Sequence, residues 1–461
     1  MIHLSLFLSA VSSLLAMPLL ALSRKQHHWK ILLALCVLLY FTLAGFKFLI
    51  VLGLSGFIYL AGLEIRRMTR GRWLVFSLVL FPLILKKALY AEFHFDELFN
   101  PSRTLIQQFD WVEVLNFVGL SYFTFNGLSY LIDVKRKYLE PQRNFFVLLL
   151  YLIYFPTIFS GPLHRAKYFF SQLSEIQVTN ESLSSGSRLI LWGLFKNMVV
   201  AQRLHFLVYS LMEANLGGIF NLLTGFFFFF FLYCSFSSFI QIFQGVSQLF
   251  NIRLKDNFRN RVYASASRQE FWGGWHITLN EWFRDYFFYE LVRYDKRRQY
   301  TYWLLFLTFL LIGLWHDFTL VFLVWGSMNA TWIILEKKFY ESELGKRHRK
   351  IRPLGVLYHL FFSSLLATVF ISPDLGGLLA VFTEPPSLGN SASTLLSLNT
   401  LVLVIAFFAM DYHEKMAGKQ RMDDYLAGKP GLHRWAVYYK LAFMILLFGT
   451  AGIIENYYRQ F

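Results

Sequence analysis

Residues 302–336 read YWLLFLTFLLIGLWHDFTLVFLVWGSMNATWIILE. Two apolar runs flank His316 and Asp317, and each approaches the roughly 17–25 residues that a bilayer-spanning helix needs. About 14 apolar residues precede His316, roughly 20 Å of helix. Entered from the cytoplasm, such a helix carries His316 to mid-depth or beyond. An ionisable residue there is costly and is by default a functional hypothesis. A neutral imidazole can serve as a base. Asp317 is adjacent in sequence but points about 100° away on a helix, so it is no evident partner. The run alone leaves two readings open: a working histidine, or one hydrogen-bonded between helices or at a luminal loop tip.

The rest of the chain repeats the apolar theme. Of 461 residues, 56% are hydrophobic, 19% aromatic and only 16% charged, against about 25% charged in a soluble domain. A soluble core of this size would need far more polar surface. Residues 2–22 are apolar, and the positive stretch SRKQHHWK follows them. A signal peptide carries its charge before the apolar run, so a retained first helix with an outside N-terminus is expected. Segments 31–44 and 46–62 read as a hairpin around Gly45. Segments 73–85, 112–132, 144–160 and 188–211 follow, then 218–250 as two crossings, the hairpin 302–335, and 354–372, 395–411 and 435–454. These sum to roughly 14 apolar segments. Some are short, so about 11–13 spans are expected, the others being re-entrant or interfacial. No repeat or long polar linker divides the chain, so residues 1–461 read as one all-α polytopic membrane domain.

The net charge of +16 is gathered in short clusters between apolar runs. They fall at 66–72, 135–143, 253–268, 293–298, 337–352 and 415–421. Placing all of them in the cytoplasm gives a consistent alternation, with the basic loops at 86–87 and 164–167 outside. That pattern calls for a membrane partner rather than nucleic acid. Cys36 and Cys234 lie in apolar runs and give neither a disulfide framework nor metal spacing. No P-loop, Gly-rich nucleotide fingerprint, zinc spacing or G-x-S-x-G elbow is present.

Just upstream of the opening stretch, residues 271–291 read FWGGWHITLNEWFRDYFFYEL. Ser267 with Glu270 fits the S-x-x-E capping box that starts a helix. At helical spacing Trp275, Leu279, Trp282 and Tyr286 share one stripe. Asn280, Glu281 and Arg284 lie opposite, and Thr278 and Asp285 flank the stripe. His276 stands at the border of the two faces. The segment is too polar to span, so it reads as one helix lying in the interface with its indoles at headgroup level. Gly273 and Gly274 each cost about 1 kcal/mol relative to Ala in a helix, and permit close backbone approach. On pattern alone this is an anchor helix and His276 a bystander. Elsewhere SGPLHRAKYF (160–169) forms a turn at Gly161 and Pro162, followed by a basic loop that is either solvated or anion-binding.

Several segments, in order, resemble the membrane-bound O-acyltransferase family. GLSYFTFNGLSYLIDVKR (119–136) resembles its S-F-Y-T-F-Q…L-S-Y-L-I-D helix, and YFPTIFSGPLHRAKYF (154–169) its F-P…G-P-I-x-R turn. EFWGGWHITLNEWFRDYFFYEL (270–291) resembles E-F-W-x-x-W-H-I-S-L…W-F-R-D-Y, and GLWHDFTLVFLVWG (313–326) resembles G-L-W-H-G…F-x-x-W-G. The motif core is about 115–335. The branch it is most similar to is that of the bacterial polysaccharide acylators, including alginate O-acetyltransferase and teichoic acid D-alanyltransferase subunits. Departures are Gly273-Gly274 where the family often has a basic pair, Asp317 where it has Gly, and Asn329 where it has a later His. FIQIFQG (239–245) stands where Y-S-D is expected.

The resemblance implies a ring of helices around a thinned centre, in the cytoplasmic membrane. It implies acyl transfer, acetyl first, from a cytoplasmic thioester donor toward hydroxyls of an exported polysaccharide. The donor is acetyl-CoA or an acyl carrier protein, with no bound cofactor or metal, and a separate extracellular or periplasmic transferase is a further expected partner. The resemblance assigns His316 as the catalytic base, with Trp315 beside it. It gives His276 the task of orienting the donor or steadying the oxyanion. Trp272, Trp275 and Trp282 would anchor, and Asn280, Asn329, Gly161 and Pro162 would support. Arg284 would pair with Asp285 or meet a donor phosphate. D-alanylation of teichoic acid is the alternative within the class. A transporter using His316 as a proton relay, or a non-catalytic scaffold, are the alternatives outside it.

Overall fold

The computed structural model describes residues 16–450, except 21, 70, 100–118, 215, 296, 298, 350 and 389–394. Most of the expected first helix, the start of segment 112–132 and the end of segment 435–454 lie outside the described residues. Among those described, the only β pairing is an isolated bridge between Gly217 and Ser387. Three stretches are long and apolar enough to cross a membrane: Lys25–Glu64, Gly218–Leu249 and Arg352–Ile371. The chain is an all-α polytopic membrane protein.

The residues form two compact units, one within Met1–Ser187 and Phe243–Lys255, the other within Arg188–Ile242 and Asp256–Gln460. In the first, helices His28–Ala44 and Phe48–Glu64 part at Gly45, whose φ is +56°. Both pack on the Phe145–Leu152 helix. Segment 144–160 is not one span, because its helix stops at Leu152 and a short turn of helix, Phe155–Ile158, follows.

Segment 218–250 also differs from expectation. Asn221–Leu249 is one helix of 29 residues, not two crossings. Its serines do not break it, since Ser235, Ser237 and Ser238 donate their hydroxyls to carbonyls of the preceding turn. Polar residues that bond back to their own helix leave it continuous. At about 1.5 Å per residue it is some 44 Å long, well over the hydrocarbon thickness.

The second unit holds the hairpin of the opening sequence. Helix Thr301–His316 turns at residues 317–319 into helix Leu320–Glu341. Asp317 does not continue the helix. Its backbone is extended, its N–H reaches Gly313 O at 3.2 Å, and its carboxylate accepts from Phe318 N at 2.9 Å. His316 is therefore the last helical residue. The first arm has 16 residues, about 24 Å, which is less than the roughly 30 Å of a bilayer core. An arm that starts at one membrane face thus leaves the turn inside the bilayer.

The arms meet at two glycines. A Cβ on Gly313 would stand 2.3 Å from Phe322 O, and one on Gly326 2.6 Å from Phe309 O. Helices in lipid gain nothing from burying apolar surface against each other, so close approach at small residues carries their association.

Gly313→Ala is expected to lower stability by about 1–3 kcal/mol, as overpacking does, seen as a lower thermal midpoint in detergent. Gly53, where a Cβ would meet nothing within 4 Å, is the control: Gly53→Ala should change stability by less than about 1 kcal/mol. Equal midpoints for both variants would show that the hairpin does not depend on backbone contact.

Candidate active site

The site is built from the strip 257–292. The capping box forms: Ser267 Oγ accepts from Glu270 N at 3.0 Å. Glu270 reaches back one residue further than the motif requires, to Ala266 N at 2.8 Å. The helix it starts covers only Arg268–Trp272. Ile277–Phe283 is a second helix, followed by a π turn over Arg284–Phe288 and by Tyr289–Val292. The expected single interfacial helix is thus broken at 273–276, and Trp275 does not share a helix with Leu279, Trp282 and Tyr286.

The break centres on His276, with φ 44° and ψ 52°. A left-handed conformation is uncommon for a residue with a side chain, and it persists because the surroundings fix it. Asn280 donates to the carbonyls of Trp272 at 2.8 Å and of Trp275, so its amide satisfies the backbone groups that the break leaves open. Gly274 O accepts from Arg259 N at 2.8 Å. A Cβ on Gly274 would lie 3.0 Å from both Arg259 Cβ and Val262 Cγ2. Asn257 O accepts from Ile277 N at 2.9 Å, and its Oδ1 accepts from the N–H and hydroxyl of Thr278 at 3.0 and 2.8 Å.

The two histidines meet one indole. The His276 ring centroid is 6.2 Å from that of Trp315, and the His316 centroid 4.8 Å from it. Phe322, Trp325 and Phe370 complete the wall around His316 at 5.8, 5.2 and 5.3 Å. Phe236 lies 5.0 Å from His276. Trp272 continues the aromatic chain at 6.1 Å from Trp325. His316 is half-buried, whereas His276 is 3% exposed. No other described residue hydrogen-bonds either ring nitrogen of His276. Burial pushes its pKa from 6.5 down to about 3, against a smaller opposing effect of its own backbone, so the ring is neutral near pH 7.

Asn329 is fully buried. Its oxygen accepts from Arg268 Nη2 at 2.7 Å and its amide donates to Trp325 O at 2.9 Å. The second Arg268 arm reaches Ser363 Oγ at 3.0 Å, which lies 3.3 Å from His359 Nε2. Glu336 accepts from Arg268 N at 2.9 and 3.0 Å. In the sequence Arg268 looks like the end of a solvated basic cluster. Its partners sit on helices about 60 to 95 residues away, so sequence spacing alone gives no sign of them.

The remaining expected residues divide. Trp275 stacks near Phe271 at 5.3 Å, and Trp282 is buried beside Tyr286. Arg284 Nε pairs with Asp285 at 2.8 Å on a partly exposed surface, where such pairs contribute about 0–1 kcal/mol. Gly161 and Pro162 form a turn of the first unit, with Gly161 at φ +84°. Among the described residues no group of three or more His, Cys, Asp or Glu could hold a metal ion.

Residues 68–364 match the family model of the membrane-bound O-acyltransferases. Over 294 residues the chain is 30% identical to a probable alginate O-acetylase of Pseudomonas aeruginosa, covering 62% of this chain and 56% of that protein. It is 27% identical over 232 residues to a teichoic acid D-alanyltransferase of Bacillus subtilis, covering 47% and 58%. It is 26% identical over 333 residues to a peptidoglycan O-acetyltransferase of Helicobacter pylori, covering 65% and 63%. The matches thus span just over half the length of the first two relatives.

The buried neutral His276 has a consequence for stability. Between about pH 6.5 and about 3 the folded chain binds fewer protons there than the unfolded chain. Stability therefore falls as pH falls through that window. Asn tolerates a left-handed backbone, so His276→Asn removes the imidazole and keeps the turn. Going from pH 7 to pH 5 should destabilise the wild type more than this variant, by on the order of 2 kcal/mol. Parallel melting curves over that pH range would mean that the ring is not held neutral.

Proposed function

The chain belongs to the membrane-bound O-acyltransferase family, and from that membership we propose that it moves an acyl group from a cytoplasmic thioester to a hydroxyl of an exported cell-surface polysaccharide. Acetyl is the proposed group and the cytoplasmic membrane the proposed location. The observation that carries the reading is the shared indole: Trp315 touches both His276 and His316, from segments 40 residues apart in sequence.

A sugar hydroxyl is a weak nucleophile at neutral pH, and a thioester is an activated but water-sensitive donor. Transfer needs a base at the hydroxyl and a dry place to hold both groups. His316 takes the hydroxyl proton as the oxygen attacks the thioester carbonyl. A tetrahedral oxyanion forms, the C–S bond breaks, and the imidazolium returns its proton to the leaving thiolate. His276, neutral and with no other residue bonded to its ring, has one N–H to offer the oxyanion or the donor. The rings of Trp315, Phe322, Trp325 and Phe370 shield the intermediate from hydrolysis. Acetyl-CoA or an acyl carrier protein supplies the thioester, and a second transferase on the far side is a proposed partner.

Alginate acetylation and teichoic acid D-alanylation are the activities named for two of the relatives. Mass analysis of the surface polymer with and without the protein separates them, by acetyl or alanyl esters lost on deletion. His316→Asn should restore none of the esters while leaving expression and melting temperature intact, and should lower transfer in vesicles by about 10²–10⁴-fold. Near-normal transfer by the folded variant would remove His316 as the base. Solute movement in liposomes with no acyl transfer would replace the reading with a transporter.

A further inference from the structure

Glu414, on the Leu398–Ala417 helix, is fully buried. Its Oε1 accepts from Lys196 Nζ at 2.6 Å. Its Oε2 accepts from the Tyr233 hydroxyl at 2.7 Å and from the backbone N–H of Arg261 at 2.9 Å. Lys196 is also fully buried, in the π turn Lys196–Ala201, with its ammonium 3.9 Å from the Tyr233 ring centroid. None of these residues touches the two histidines by any contact described above.

A buried ion pair adds little net stability over well-packed apolar residues, because desolvating both charges offsets their attraction. What it can do is fix geometry. Here the geometry fixed is that of Arg261, whose left-handed φ of +53° turns its N–H to the carboxylate. Arg261 ends the strip that brackets His276. Arg259 N holds Gly274 O on one side of the histidine, and Asn257 holds Ile277 and Thr278 on the other. The Phe258 ring packs this strip on Phe236 and Trp275 at 5.0 and 5.1 Å, a contact with no direction of its own, and two further polar anchors are wetter. The Arg261–Asp411 pair at 2.6 Å has side chains 31% and 22% exposed, so water competes with it. Asn260 reaches the carbonyls of Gly418 and Gln420 on an exposed surface.

We propose that Glu414 is a positioning residue for acyl transfer: through the Arg261 N–H it locks the 257–261 strip, and the strip holds His276 in its left-handed turn against Trp315. The proposal rests on the transfer reading above for its activity readout. It has a second readout that does not, the ring resonances of His276 in isotope-labelled protein in nanodiscs, identified by their loss in His276→Asn.

Three variants test it. Lys196→Gln with Glu414→Gln keeps an acceptor for Arg261 N and Tyr233, and a donor–acceptor pair between the two amides, without charge. It should retain most of the wild-type kcat and the wild-type His276 signal. Lys196→Met with Glu414→Leu and Tyr233→Phe fills the same space and orphans no hydroxyl. It should fold, shift the His276 signal, and lose kcat by up to about 10²-fold, as misplacement of a reacting group does, with KM for the donor little changed. Glu414→Asp keeps the charge opposite Lys196 but shortens the reach to Arg261. It serves if the apolar variant does not fold, and should shift the signal and lower kcat in the same direction.

An unmoved His276 signal in either folded variant overturns the proposal, whatever happens to kcat. A shifted signal with wild-type kcat leaves Glu414 as the positioner of His276 and removes His276 from the reaction, which is a failure of the functional reading instead. Loss of kcat in the double amide variant with an unmoved signal also overturns it, since the charge would then act by another route.

Discussion

Backbone contact between the two arms of the 301–341 hairpin sets the rest of the second unit. Gly313 and Gly326 bring the helices to a separation that a single methyl would prevent. At that separation the wall around His316 can be drawn from both arms: Trp315 from the first, Phe322 and Trp325 from the second. His316 closes the first helix one turn after Gly313, so little slack separates the contact from the imidazole. In lipid the apolar surfaces alone would not choose this arrangement, because tails solvate them equally well.

The proposed transfer needs a base and a dry surround, and the residues around the two histidines fit that need. Rings contact the imidazoles, while the hydrogen-bonding load of the broken strip falls on neutral groups: the Asn280 amide, the Asn257 side chain and backbone carbonyls. Arg268, whose guanidinium lies 4.4 Å from the Phe271 ring centroid and 5.7 Å from that of Trp272, is held by Asn329 and Ser363. In a low-dielectric site an unpaired polar group is costly and a paired one is strong. Asn329 illustrates the choice at its position. Its oxygen serves Arg268 and its amide serves a carbonyl, so both ends are used.

The apolar runs, the capping box at Ser267 and the two histidine motifs were all legible in the sequence, because each is a local pattern of few residues. Run length and the alternation of basic loops asked for two crossings over 218–250, and neither pattern tells a divided run from one long helix such as Asn221–Leu249. Periodicity also missed the break at His276. It assumes one helix, and what interrupts this one is tertiary: Asn257 and Arg259 of a neighbouring strip bond the backbone at Ile277 and Gly274, and Arg259 and Val262 pack close against Gly274. The Arg268 cluster escaped for the same reason, its partners being gathered from two distant helices.

The Gly273-Gly274 pair separates once the strip is in view. Gly274 is buried, and its would-be Cβ meets Arg259 Cβ and Val262 Cγ2 at 3.0 Å, so any side chain there needs those neighbours to give by a few tenths of an ångström. Gly273 is exposed, and a Cβ would come no nearer than 3.3 Å to Gln269 O. Its backbone is ordinary right-handed helix at φ −70°, so packing asks far less of it. A basic pair at these two positions would have to move the 259–262 strip at the second of them. Asn257, two residues before that strip, is what holds Ile277 and Thr278. The departure at Gly274 and the left-handed turn at His276 therefore meet at one strip, residues 257–262, which packs close on the glycine and bonds the backbone on both sides of the histidine.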